Sequence, residues 1–127
     1  MNTFELVKKI IKNRQYQILE EDSADGYMAF RYQMNTMHFW ANNDDHHFFF
    51  VTLPNFVDIT SENIEQVIEN CHQVNKAVKS VKLYVLNSVI LAVAEMFYLA
   101  EEDFVFQLEN ALKLLVEAKV KYKRLNE

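Results

Sequence analysis

The run Asp44-Asp45-His46-His47 is the densest set of metal-ligand side chains in the sequence. Imidazole and carboxylate together suit divalent transition metals. Adjacent residues of a strand point to opposite faces, however, so His46 and His47 do not converge on one ion unaided. A site would need His38 from across a hairpin. A solvated turn leading into two strand-entry histidines accounts for the same residues, and no metal or other cofactor is expected. Cys71 and His72 pair a thiol with an imidazole on paper. Neighbours on a helix diverge by about 100°, so the two do not face each other. Cys71 falls on an apolar stripe and reads as a small core residue without an activating charge. Glu20-Glu21-Asp22 and Glu101-Glu102-Asp103 are carboxylate runs at a turn and at a helix start, where acids are ordinarily solvated. With one Gly in the chain, phosphate-cradling loops, dinucleotide fingerprints and nucleophile elbows are absent. No residue is nominated as catalytic.

Three further residues carry a different kind of chemistry. Glu95 shares a strand face with Val89, Leu91, Val93 and Phe97. A charge among apolar neighbours is expensive to bury unpaired. It reads as a charge that blocks sheet-to-sheet association, as one half of a pair with a cation such as Arg31 within the fold or across a subunit contact, or as part of a face that binds a ligand or partner. Trp40 lies with His38 on the side of its strand opposite Phe39 and is expected to be partly exposed, as binding anchors often are. Trp40, Glu95 and Phe97 are the candidate partner-binding residues.

The elements that would position them follow from periodicity. The chain has 127 residues, half of them hydrophobic, including ten Phe, six Tyr and one Trp. That is enough to bury a core without disulfides or metal, and the single Cys excludes an internal disulfide. Asn2 and Glu5 have capping-box spacing, and Phe4, Val7 and Ile11 recur at helical intervals, predicting a helix over about 3–13. Strands are predicted at 16–21, 27–33, 37–41 and 48–53, with returns at 22–26, at Asn35-Thr36 and at 42–45. The nearly continuous apolar run Phe48 to Leu53 predicts a strand covered on both faces, ended by Pro54. Thr60 reads as the cap of a second helix with the stripe Ile64, Val67, Ile68, Cys71, Val74 and Val78. Strands over 81–86 and 89–99 flank the turn Asn87-Ser88. A last helix begins at Glu101 with the stripe Phe104, Leu108, Ala111, Leu112, Leu115, Ala118 and Tyr122. The order α-β-β-β-β-α-β-β-α predicts one α+β domain over residues 1–127, an antiparallel sheet with helices packed against it.

Thirteen Lys plus Arg stand against eighteen Asp plus Glu, a net charge of −5. An acidic surface repels a phosphate backbone. The one basic run, Lys119, Lys121, Tyr122, Lys123, Arg124, sits where cations complement a helix C-terminus, so nucleic acid is not expected. The longest apolar run, Val89 to Ala94, is far too short to span a membrane, and no signal-peptide pattern opens the sequence. A soluble, cytoplasmic protein is expected.

Several stretches carry a family resemblance. Gly26-Tyr27-Met28-Ala29-Phe30 follows an acidic turn, and Phe48 to Leu53 leads into Pro54. His72-Gln73-Val74-Asn75 closes the second helix before a hairpin, and Ala111-Leu112-Lys113-Leu114-Leu115-Val116-Glu117-Ala118 lies in the last helix. In this succession the chain resembles the YbjN-type proteins, which share the fold of type III secretion chaperones. The resemblance implies a small, cytosolic, non-enzymatic protein, often a homodimer, whose relatives bind polypeptides. The leading expectation is therefore a homodimeric protein-interaction module, chaperone- or adaptor-like. The alternative is a small-molecule-sensing regulatory domain with a pocket between helices and sheet.

Overall fold

The computed structural model describes residues 1–42, 47–54 and 56–126. The chain runs α1 (Thr3–Asn13), β1 (Ile18–Asp22), β2 (Tyr27–Tyr32), β3 (Asn35–Ala41), β4 (Phe48–Pro54), α2 (Ile64–Ala77), β5 (Val81–Leu86), β6 (Val89–Phe97) and α3 (Glu101–Leu125). The strands form one antiparallel sheet in the order β1-β2-β3-β4-β6-β5. The α+β class and the element order are those expected from the sequence.

Local chemistry sets the element ends. The Asn2 side chain accepts from the Glu5 amide at 2.8 Å, and Glu5 accepts from the Asn2 amide, closing the capping box of α1. The β2–β3 return differs from the expected Asn35-Thr36. Gln33 and Met34 take φ of 48° and 66°, as a two-residue hairpin turn requires, and Asn35 and Thr36 are already in β3. Asn35 donates to the Gln33 carbonyl and Arg31 to the Met34 carbonyl, which holds this glycine-free turn. Asn87-Ser88 turns the second hairpin as expected, with φ of 48° and 72°. Helix α2 starts at Ile64, later than a Thr60 cap implies. Thr60 instead accepts from the Glu62 and Asn63 amides and so closes the turn that precedes the helix.

The helices pack on one face of the sheet. Met28, Phe30, Met37, Phe39, Phe49, Val51, Ile90, Ala92 and Ala94 point toward them and are buried. All seven residues of the α3 stripe are buried as well. In α2 the stripe is narrower than expected. Ile68 is exposed, while the polar Asn70 is buried and bonded to Gln66 and Asn126. The β4 expectation is also corrected. Phe49, Val51 and Leu53 face the helices, but Phe48 and Phe50 stand on the opposite face, which none of the described helices covers, and are only half-buried.

The two edges are treated differently. Strand β1 is irregular between Ile18 and Glu20 and carries three consecutive acids, features that discourage pairing with another chain. On β5 the Asn75 side chain reaches from the last turn of α2 to Leu83. It accepts from the Leu83 amide at 2.7 Å and donates to the Leu83 carbonyl at 3.2 Å. A side-chain amide thus supplies the donor and acceptor that a neighbouring strand would present there.

Candidate functional site: an aromatic ladder on the uncovered sheet face

Strand alternation puts Tyr27, His38, Trp40, Phe48, Phe50 and Phe97 on the face away from the helices. Register brings them into contact. Tyr27 pairs with Trp40, Trp40 with Phe50 and Phe48 with Phe97. Ring centroids lie 4.4 Å apart for Tyr27–Trp40, 6.2 Å for Trp40–Phe50, 6.3 Å for Phe50–Phe48 and 5.0 Å for Phe48–Phe97. The result is a continuous ladder of rings across β2, β3, β4 and β6. Each such contact contributes about 0.5–1.5 kcal/mol beyond simple burial, so the ladder is a firm surface. Its packing still leaves Trp40 half-buried and Phe97 63% exposed. Two of the sequence-derived candidates, Trp40 and Phe97, are thereby joined through Phe50 and Phe48.

Glu95, the third, is exposed on the same face and stands opposite Phe50 in register. Among the described residues it takes part in no ion pair; the pairs are Lys8–Glu21 and Arg14–Glu109. The suggested partner Arg31 is out of reach within the chain. It lies on β2, three strand spacings from β6, roughly 14 Å away laterally. Its guanidinium is also taken up by the Thr36 hydroxyl and the Met34 carbonyl, both at 2.8 Å.

At the other end of the ladder, Tyr27 and His38 share a hydrogen bond of 2.7 Å between the phenol oxygen and Nδ1. Burial lowers the His38 pKa, with nearby Glu20 acting in the opposite direction. Burial and Glu20 both raise that of Tyr27. At neutral pH this end of the face is therefore an uncharged imidazole–phenol pair.

The other sequence candidates are dispersed. Asp44, Asp45 and His46 lie outside the described residues. His47 is exposed at the start of the β4 hairpin arm and His38 is engaged by Tyr27. Among the described residues no three His, Cys, Asp or Glu side chains come together as metal ligands. Cys71 is buried, its thiol pKa raised by that burial, and His72 is exposed. In the basic run near the C-terminus the cations divide, Lys121 and Arg124 lining a cleft against α2 and Lys119 lying near Lys123 and Arg31. Tyr122 is fully buried and Lys119 donates to the Asn35 side chain at 2.5 Å. Between α1, β2 and α3 a cleft of about 180 Å³ is lined by Ile11, Tyr32 and Leu112 and crossed by the Arg14–Glu109 pair. Pockets that enclose small ligands typically hold about 300–1,000 Å³; a more open cleft between α2 and β5, lined by Cys71, His72, Asn75 and Leu83, holds about 320 Å³, so cavity size does not decide against the small-molecule alternative. No described helix is long and apolar enough to cross a membrane.

Sequence reasoning assigned Phe48 and Phe50 to the core, although period-two alternation against Phe49 already separates them from it. It also missed Leu99 and Phe106, which are 86% and 65% exposed beside Phe97. Phe106 falls off the α3 stripe, between Phe104 and Leu108, and that offset is the signal that marks it.

No family model matches the chain, and no curated protein sequence matches it. Solved structures do. The fold is that of YbjN from E. coli, a candidate transcription regulator, with a TM-score of 0.71 at 5% identity over 98% of this chain and 96% of that one. It is also similar to an uncharacterized protein from Methanothermobacter thermautotrophicus, with a TM-score of 0.62 at 11% identity over 94% and 96%. A third likeness is to the Yersinia pestis type III secretion chaperone SycH, solved in complex with a stable fragment of YscM2. Its TM-score is 0.61 at 14% identity, covering 94% of this chain and 99% of that one. The YbjN-like, type III secretion chaperone-like fold expected from the sequence is therefore the fold of the chain.

Proposed function

We propose that this protein is a non-enzymatic, cytoplasmic polypeptide-binding module of the chaperone or adaptor kind, one domain acting as a homodimer. The observation that carries the reading is the ring ladder from Tyr27 to Phe97 on a sheet face that none of the described helices covers. Soluble monomers seldom leave so many apolar side chains together unless a partner covers them. Trp40 and Phe97 are the anchors and Glu95 sets the charge a partner must meet. SycH, which has this fold, was solved with a polypeptide fragment, and that supports a polypeptide as the ligand class. Neither nucleic acid nor a cofactor has a role in this reading.

The test is selection from a displayed library of random dodecapeptides, with affinities read by fluorescence anisotropy on the full chain. Selected peptides bind the native protein and lose at least about tenfold, or 1.4 kcal/mol, with Trp40→Ser, while circular dichroism stays unchanged. A library that yields no ligand, or ligands indifferent to both Trp40→Ser and Phe97→Ser, overturns the proposal. Sedimentation at twice the chain mass of 15.1 kDa is expected for the homodimer, and a single-chain mass removes that part.

A further inference from the structure

The ladder continues past the end of the sheet. Phe97 is followed by Leu99 in the link to α3 and by Phe106 one turn into the helix, and all three are more than half exposed. With Tyr98, Asp103 and Gln107 they line a cleft of about 330 Å³. An isolated exposed Leu needs no explanation, but three large apolar side chains around one cleft form a patch. Among the described residues the formal charge around it has one sign. Glu95 stands two residues before Phe97 on the ladder face, and Glu101 and Glu102 are exposed in the first turn of α3. Asp103 lines the cleft while accepting from the Ala100 amide at 3.2 Å. Among the described residues no lining residue is basic, and the His47 ring packs on Tyr98. Acids suit a helix start, which explains the carboxylates but not the apolar side chains beside them.

We infer that this corner is the selective end of the docking surface, taking a partner segment that presents a large apolar side chain flanked by Lys or Arg. The inference rests on the polypeptide-binding reading above and adds the chemistry of the partner. The apolar side chain enters the cleft between Phe97, Leu99 and Phe106. The flanking cations meet Glu95 on one side and Glu101 with Glu102 on the other. The same segment can continue along the ladder toward Trp40. A second copy of this chain, with its net charge of −5, is the weaker occupant of an acidic corner, although it exposes Leu125 beside Lys123 and Arg124.

Two labelled peptides of equal length test it on the full chain. One has Leu and Phe anchors with Lys and Arg flanks; in the other the flanks are Glu. The cationic peptide is expected to bind at least about tenfold tighter at low salt, with the gap closing as the Debye length shrinks. Glu101→Lys with Glu102→Lys should abolish or reverse the preference. Leu99→Ser with Phe106→Ser should weaken the cationic peptide at least about tenfold, and these exposed sites leave the thermal melt unchanged. Equal binding of the two peptides, or a preference that survives charge reversal, overturns the inference. If Trp40→Ser abolishes binding and the corner variants do not, the polypeptide-binding reading stands and the corner falls. If neither peptide binds and the library is also empty, both fall. Self-association lost with Phe106→Ser, with no peptide binding, makes the occupant a second copy and also overturns it.

Discussion

Replacing Asn75 with Ala removes both hydrogen bonds that cover the outer edge of Leu83. Each is part-buried, and the net value of such a bond is about 1 kcal/mol, so the pair contributes about 2 kcal/mol. For a domain of this size that corresponds to a fall in Tm of roughly 8 °C. The more specific readout is amide hydrogen exchange. The Leu83 amide sits on an edge strand but has a side-chain acceptor at 2.7 Å, so it should exchange slowly in the native protein. In Asn75→Ala its exchange should rise at least about a hundredfold, while amides of β4 inside the sheet keep their protection. Asn75→Asp separates the two bonds. A carboxylate still accepts from the Leu83 amide but repels the Leu83 carbonyl, so exchange stays slow while stability drops. The uncovered edge should also promote concentration-dependent association, read by sedimentation. A Leu83 amide that remains protected in Asn75→Ala, with a stability loss below about 0.5 kcal/mol, would refute the reasoning.

Other expectations follow from single sites. Cys71 is buried with its thiol pKa raised by burial, so a thiol reagent should label it only in denaturant; rapid native labelling contradicts its core placement. Met34 holds φ of 66° in the β2–β3 turn and is 88% exposed. Met34→Gly should stabilise the fold by about 0.5–1 kcal/mol, and a lower denaturation midpoint would count against the turn geometry. The folded-state pKa of His38 lies below its ordinary value. The unfolded chain therefore binds the proton more readily, and the stability His38 contributes is present above about pH 6.5 and lost as pH falls through the folded pKa. His38→Gln should flatten the stability profile in that window, and an unchanged profile shows that His38 is not its source. If Glu95 pairs with a cation across the homodimer, Glu95→Lys converts the sedimenting dimer to single chains; an unchanged dimer mass removes Glu95 from the subunit contact and leaves it to the docking surface.

What the sequence made legible was local. The α3 stripe from Phe104 to Tyr122 is continuous over five turns, and a helix that must bury one face advertises it at every turn. The capping box at Asn2 and Glu5 and the turn at Asn87-Ser88 depend on residues within four positions of one another. Alternation put Trp40 opposite Phe39 and Glu95 beside Phe97, and both placements hold. The failures needed non-local knowledge. That β4 pairs with β6 rather than β5 decides that Arg31 and Glu95 sit three strands apart. That all the helices choose one face decides that Phe48 and Phe50 are not core. Neither choice leaves a mark within a window of ten residues. Asn75 was visible as a residue closing a helix, but its task depends on β5 arriving at the edge.

The way the sheet is closed off narrows where a partner can bind. A β-sheet offers two edges and two faces. One face is filled by α1, α2 and α3. The β1 edge carries three acids and an irregular register, and the β5 edge is covered at Leu83 by Asn75. Strand addition on β5 would first have to displace two bonds together contributing about 2 kcal/mol. The remaining face meets no such cost, because Trp40, Phe50, Phe48 and Phe97 already stack on one another and expose ring surface in a fixed arrangement. A partner landing there gains apolar burial at about 25 cal/mol per Å² without ordering the surface first. On the proposed reading the same comparison accounts for Glu95, which has no ion-pair partner among the described residues. An exposed carboxylate costs little in the free protein and would disfavour apolar segments that bring no cation, so it would select among partners rather than strengthen all of them.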